Sequence, residues 1–223
     1  MTNTQQFDAL PLRQKKYART KLAILHAMLE MLESQSLASV HIRDLCNQAE
    51  ISEPTFFNYF KSKPHILLYF IQIWSLEMQV LAIKMERASV DYTQTIQNIL
   101  IQTARDISAH PQIMLEIIAF QAQGFELPLH EITDAEKWLY FSDVEDIESI
   151  HGAGIESILP PLIHKAVAHH ELPKETDEEL LFLTLSSLFF GASLLILHQD
   201  PKALPGLLEA ELETIFRGAG YEK

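Results

Sequence analysis

Residues 51–63 read ISEPTFFNYFKSK. Between Phe56 and Phe60 only Asn58 is not aromatic, Pro54 stands just ahead, and Lys61 and Lys63 follow. Ser52 has the oxygen needed to cap a helix starting at Glu53 and running to about Phe60. Pro54 then falls in the first turn, where its missing N–H has no partner to lose. Within this helix Phe56 and Phe60 are four residues apart and share one face. That face goes inward, and Glu53, Pro54, Thr55, Phe57, Asn58 and Tyr59 lie outward or at the rim. Helical phase therefore divides the run into core and surface.

The neighbours complete a small helical unit. Ile24, Ala27, Met28, Met31 and Leu32 recur at helical spacing within Thr20 to about Gln35. Ile42–Ala49 reads as a short second helix with Leu45 and Cys46 inward. Apolar or small residues at 45, 46, 49, 51, 56 and 59 or 60 fall where two short crossed helices touch, the layout of a helix-turn-helix. Cys46 supplies a small side chain at the crossing.

Helical periodicity continues to the C-terminus. A long helix begins near Ser62 or Pro64 and reaches about Arg87, and others are predicted over Tyr92–Ala109, Pro111–Gln123, Ile147–His169, Asp177–His198 and Pro201–Arg217. Residues 125–146 are the least regular, mixing acids with Trp138, Tyr140 and Phe141. With only seven glycines and few strand-like alternations, the chain is predicted all-α.

The net charge is −13, but its distribution is uneven. Residues 1–63 hold eight Lys and Arg against six Asp and Glu; residues 64–223 hold nine against 24. Arg13, Lys15, Lys16, Arg19 and Lys21 crowd together, which reads either as a polyanion contact or as a solvated tail. One cysteine excludes an internal disulfide and a Cys-based zinc cluster, and fits a reducing compartment. The first twenty residues lack the apolar core of a signal peptide. Leu180–Leu197 carries no charge and approaches a spanning length, yet acids precede it and no basic residue anchors either end. It is read as a helix buried on two sides of a soluble protein, with no membrane partner.

The stretches ILHAMLEML, HIRDLCNQAEIS and PTFFNYFKSKPHIL, within Arg19–Leu68, resemble the DNA-binding domain of TetR-family transcriptional regulators. The most specific elements are the pair Phe56–Phe57, then Tyr59–Phe60, then Lys63 at the start of a long helix. The resemblance implies an N-terminal three-helix helix-turn-helix domain followed by a larger helical ligand-binding and dimerisation domain. The expected division is a flexible arm at 1–12, a DNA-binding domain at 13–63 and an effector and dimerisation domain at 64–223, with helix 64–87 joining the two. The chain departs from the family pattern at Glu50 and Ser36, where glycine is usual, and at Phe57, where tyrosine usually bonds a phosphate. If position 50 needs positive φ, glutamate there costs about 1 kcal/mol. Phe57 is left able to touch a thymine methyl or a sugar.

The resemblance further implies a cytoplasmic regulator, most often a repressor, that binds a palindromic double-stranded operator as a homodimer and is released by a small-molecule effector. The third helix would enter the major groove while the second clamps the backbone. Asn58 and Thr55 are candidate base readers; Glu53 either accepts from cytosine or complements the helix N-terminus. Pro54 and Phe57 share their surface, and Arg19, Arg43, Tyr59 and Lys63 would hold phosphates. His41 reads either as a helix-start residue or as a further DNA contact. The dimer surface is expected at 177–198 and 201–217, where Ser186, Ser187, Gly191, Ala192 and Ser193 allow close helix approach. Candidate pocket residues are Trp74, Met78, Met114, Ile117, Phe120, Phe125, Trp138 and Phe141, with His151 as a polar contact.

Two other functions compete. Glu148 and His151 form a Glu-x-x-His, as in helical di-iron enzymes, but no second pair accompanies it. No catalytic triad, phosphate loop or nucleotide fingerprint is present, and no catalytic residue, metal or cofactor is expected. The third reading is a helix-turn-helix used only for protein contact.

Overall fold

A computed structural model of the protein describes residues 2–124 and 131–219. Its regular elements are eleven α-helices joined by turns and single 3-10 turns, with no strand among the described residues. The chain divides into two compact units. The first comprises Met1–Leu76 and Gln123–Gly152, the second Glu77–Ala122 and Ala153–Lys223.

The first unit holds α1 (Asn3–Ala9), α2 (Leu12–Leu32), α3 (Ile42–Gln48), α4 (Glu53–Tyr59), the start of α5 (Lys63–Arg87) and α8 (Asp134–Tyr140). Its core includes Leu25, Met28, Leu32, Leu45, Phe56, Phe60, Ile66 and Tyr69. Helix α1 replaces the expected flexible arm. A capping box between Thr2 and Gln5 starts it, and Phe7 is buried beside Ala18 and Ala135. Its Asn3 side chain donates to the carbonyls of Phe141 and Val144, both at 2.6 Å. The segment around α8 thus belongs to the helix-turn-helix unit, and the expected boundary at residue 63 does not separate compact units.

A buried ion pair holds α8 to α2. Lys21 Nζ lies 2.8 Å from Glu136 Oε1, with the side chains 1% and 0% exposed. Glu136 Oε2 meanwhile accepts from the Thr133 N–H and hydroxyl, closing a capping box at the start of α8. Lys21 also sits 4.2 Å above the Tyr69 ring centroid. Burial pulls the lysine pKa below its usual value, and Glu136 pushes it back up. Burial, then the same carboxylate, drive the Tyr69 phenol far above its ordinary value.

The predicted helix over 147–169 is broken. Ile147–Ser149 and Ile155–Ser157 are single 3-10 turns, and only α9 (Leu159–Ala168) is α-helical. Gly154 adopts φ +87°, and Pro160 and Pro161 can open a helix but not continue one. The Lys137 ammonium donates to the carbonyls of Glu148 and Ile150, fixing the loop in extended form. Gly152 passes so close to α5 that an added Cβ would lie 2.3 Å from the Gln72 carbonyl oxygen.

The second unit contains the rest of α5, α6 (Tyr92–Ala109), α7 (Pro111–Ala122), α9, α10 (Glu178–Ile196) and α11 (Leu204–Gly218). Helix α6 turns an apolar stripe inward through Ile96, Ile99, Leu100 and Ile107. Glu171 anchors its start by accepting from the N–H groups of Tyr92 and Thr93. Helices α5 and α10 are long and apolar enough to cross a membrane by length and composition. Helix α10 buries Leu181, Leu185, Phe189 and Ala192, but leaves Leu180, Leu183, Leu194 and Leu195 60%, 52%, 51% and 69% exposed.

Candidate nucleic-acid interface

The interface is built on α4. The Ser52 hydroxyl accepts from the Thr55 N–H at 3.3 Å, and Pro54 occupies the first turn. Phe56 and Phe60 are fully buried, with Phe60 packed on Tyr69 at 5.7 Å between centroids. Glu53, Pro54, Phe57 and Asn58 are exposed, and Thr55 and Tyr59 half-buried. The division expected from helical phase is the observed one. Tyr59 stacks on Tyr17 of α2 at 4.9 Å, tying the exposed face of α4 to the first long helix.

The turn before α4 is strained where the sequence indicated. Glu50 adopts φ +54°, the left-handed region usually left to glycine. His41 stands at the N-cap of α3 without capping through its side chain, and Arg43 projects from the first turn into solvent. Arg19 is exposed on α2, with its guanidinium carbon 5.4 Å from the Phe7 ring centroid.

Two expected cationic contacts are committed elsewhere. The Lys63 ammonium donates to the carbonyls of Leu37 at 2.6 Å, Ala38 at 3.2 Å and Val40 at 2.8 Å. These three bonds match its three protons, so Lys63 fastens the turn before α3 rather than presenting a free charge. Lys21 is buried against Glu136. The exposed cations of this unit include Arg13, Lys16, Arg19, Arg43 and Lys61. Sequence reasoning missed Lys61, which is exposed immediately after α4; its place beside the reading helix was the available signal.

The expected pocket residues are divided between the two units. Trp74, Trp138, Phe141 and His151 fall in the first unit, and Met78, Met114, Ile117 and Phe120 in the second. Trp138 packs against the cluster of Phe7, Ala18 and Ala135, and its indole N–H donates to Glu148 at 3.4 Å. His151 is exposed, and Phe125 lies outside the described residues. The second unit instead has a groove of about 550 Å³ bordered by α5, α6 and α11. Gln97, Asn98, Arg105, Glu209, Leu81 and Met85 border it, and none of the expected residues does. Gln97 is buried, yet its side chain makes no hydrogen bond to another described residue. Glu148 lies in a single 3-10 turn and His151 on irregular backbone, so the two do not share an α-helix, and no three His, Cys, Asp or Glu side chains converge on a metal-sized site among the described residues.

Comparison with known proteins agrees with this geometry. The sequence model for bacterial regulatory proteins of the tetR family matches residues 24–70, which contain α3, α4 and parts of α2 and α5. No curated protein sequence matches the chain. Among solved structures, a TetR transcriptional regulator from Rhodococcus sp. RHA1 is 15% identical, with a TM-score of 0.55 over 92% of this chain and 97% of that one. The fold is also similar to FadR of Thermus thermophilus, a TetR-family repressor solved with lauroyl-CoA, at 16% identity and TM-score 0.60 over 89% and 94% of the two chains. FadR of Bacillus subtilis, solved with stearoyl-CoA, gives 14% identity and TM-score 0.61 over 88% and 98%.

Proposed function

We propose that this chain, which belongs to the TetR family of bacterial regulatory proteins, is a cytoplasmic, effector-responsive repressor that binds a palindromic duplex operator as a homodimer. The observation that carries the reading is α4: an anchored helix whose buried side is Phe56 and Phe60 and whose free side is Thr55, Phe57, Asn58 and Tyr59. Asn58 can bond adenine through two atoms, and Thr55 offers a hydroxyl and a methyl. Glu53 and Pro54 border the same groove edge. Arg19, Arg43, His41, Tyr59 and Lys61 hold the backbone and set the register.

One unit of this size covers too few bases, so two copies are needed with reading helices about 34–36 Å apart. The dimer surface is the exposed stripe of α10 together with α11. Leu180, Leu183, Leu194 and Leu195 are exposed, and Gly191, on the same face between them, has open space beyond its Cα. Four helices, two from each copy, would cover this stripe. The effector is assigned to the second unit, whose groove offers the Gln97 amide and the Arg105 guanidinium to a ligand with hydrogen-bonding groups. Binding acts by population shift, because only a ligand with different affinity for two conformations can move their balance. Helix α5 belongs to both units and is the covalent path for that shift.

A mobility shift on DNA upstream of the protein's own gene tests the reading, with light scattering on the same sample. A retarded complex of fixed stoichiometry and a dimeric mass are expected. A monomer that retards no duplex would point instead to a helix-turn-helix used for protein contact.

A further inference from the structure

The exposed face of α4 holds one large side chain that can make no hydrogen bond. Phe57 is 52% exposed, although the helix is otherwise divided between buried apolar and exposed polar positions. Tyr59, the other aromatic outside the core, is half-buried and occupied by its stack on Tyr17. Among the described residues, no ring stacks on the outer side of Phe57. Its inner edge meets the fully buried Phe56 ring at 5.1 Å and 85°, so the ring is braced from within and presented outward. It stands between Phe56 and Asn58, on the surface that also carries Thr55.

A phenyl ring cannot bond a phosphate or a base nitrogen. In the major groove the apolar group on a base edge is the C5-methyl of thymine. Leaving such a ring in water also keeps apolar area hydrated, at about 25 cal/mol per Å², which contact with a methyl would recover. We propose that Phe57 is a specificity-determining residue that reads a thymine methyl beside the base read by Asn58. The proposal rests on the DNA-binding reading above and assigns the chemistry of one position within it.

The test uses the full-length protein and a duplex enriched by it from a random-sequence library. Each dT of the enriched site is replaced in turn by dU, which removes the methyl and leaves every hydrogen-bonding group in place. Wild type should lose about fourfold in affinity at one thymine per half-site, the factor for one buried methyl-sized group. Phe57→Ala should bind the parent duplex more weakly and be insensitive to dU at that thymine, while Phe57→Leu retains part of the sensitivity. Because Phe57 lies outside the core, the variants should keep the wild-type unfolding midpoint. If the duplex is enriched and bound but no dU weakens wild type, or Phe57→Ala stays as sensitive as wild type, the assignment to Phe57 falls and the DNA-binding reading stands. If no duplex is enriched, both fall together.

Discussion

Removing one member of the Lys21–Glu136 pair leaves the other charge buried. Both side chains are essentially inaccessible, at 1% and 0%, and 2.8 Å apart, so solvent offers little relief to the survivor. At an effective dielectric near 20 the Coulomb attraction at that distance is about 6 kcal/mol, much of it offset by desolvation of both ions. The measurable quantity is the cost of an unpaired survivor, about 3–5 kcal/mol. Glu136→Gln keeps the side-chain shape, but its single amide oxygen can either cap α8 at Thr133 or accept from Lys21, not both; the loss expected is about 3 kcal/mol, the lower end of that range. Lys21→Met should cost about 4 kcal/mol because it strands a carboxylate. The double variant removes both charges and should lie within about 1 kcal/mol of wild type. Both tryptophans, Trp74 and Trp138, lie in the same unit as the pair, so their fluorescence follows its unfolding in urea. With a slope near 2 kcal/mol per molar, the Glu136→Gln midpoint should fall by roughly 1.5 M. Single losses below about 1 kcal/mol, or a double variant as unstable as the two singles added, would refute the reasoning.

Four further outcomes are expected. Glu50→Gly should raise the urea midpoint by the equivalent of about 1 kcal/mol, because it relieves a positive φ at an exposed position, and should leave DNA affinity unchanged. Lys63→Met should destabilise the first unit by about 2 kcal/mol through its three lost carbonyl bonds, yet leave the slope of log affinity against log salt unchanged. Lys61→Met should reverse that pattern, sparing stability and reducing the slope by about 0.9, one phosphate contact. Gly152→Ala should cost about 1–3 kcal/mol by overpacking, since its Cβ would meet the Gln72 carbonyl at 2.3 Å and the Ser75 hydroxyl at 2.5 Å; an unchanged midpoint would contradict the packing described.

The contrast between Ser52 and Lys63 shows what local sequence carries. Ser52, Pro54, Phe56 and Phe60 act within two turns of one helix, so cap, first turn and buried face follow from spacing alone. Glu50 was legible through the family resemblance, in which this turn position usually holds glycine. Lys63 is different: its partners are three carbonyls in a turn far back in the chain, and nothing around residue 63 signals that its charge is used. The Lys21–Glu136 pair is a stronger case. Lys21 falls in helical phase with Ala18, Leu25, Met28 and Leu32, but nothing near it in the sequence names Glu136 as its partner, and the packing of α8 on α2 depends on a contact between distant segments. Helix α1 escaped notice because one side chain, Phe7, supplies most of its apolar anchor. The predicted helix at 147–169 failed because apolar periodicity outweighed Gly152, Gly154 and the Pro160–Pro161 pair, each of which spoke against it. The pocket residues were chosen for chemistry at helical spacing, which cannot distinguish core from cavity.

Fluorescence anisotropy of Asn58→Ala on an enriched duplex and on a scrambled duplex of equal length tests the central claim most directly. A base reader discriminates, whereas a phosphate contact does not. The account predicts a loss of about 1–3 kcal/mol on the enriched duplex and almost none on the scrambled one. Equal losses on both would contradict it.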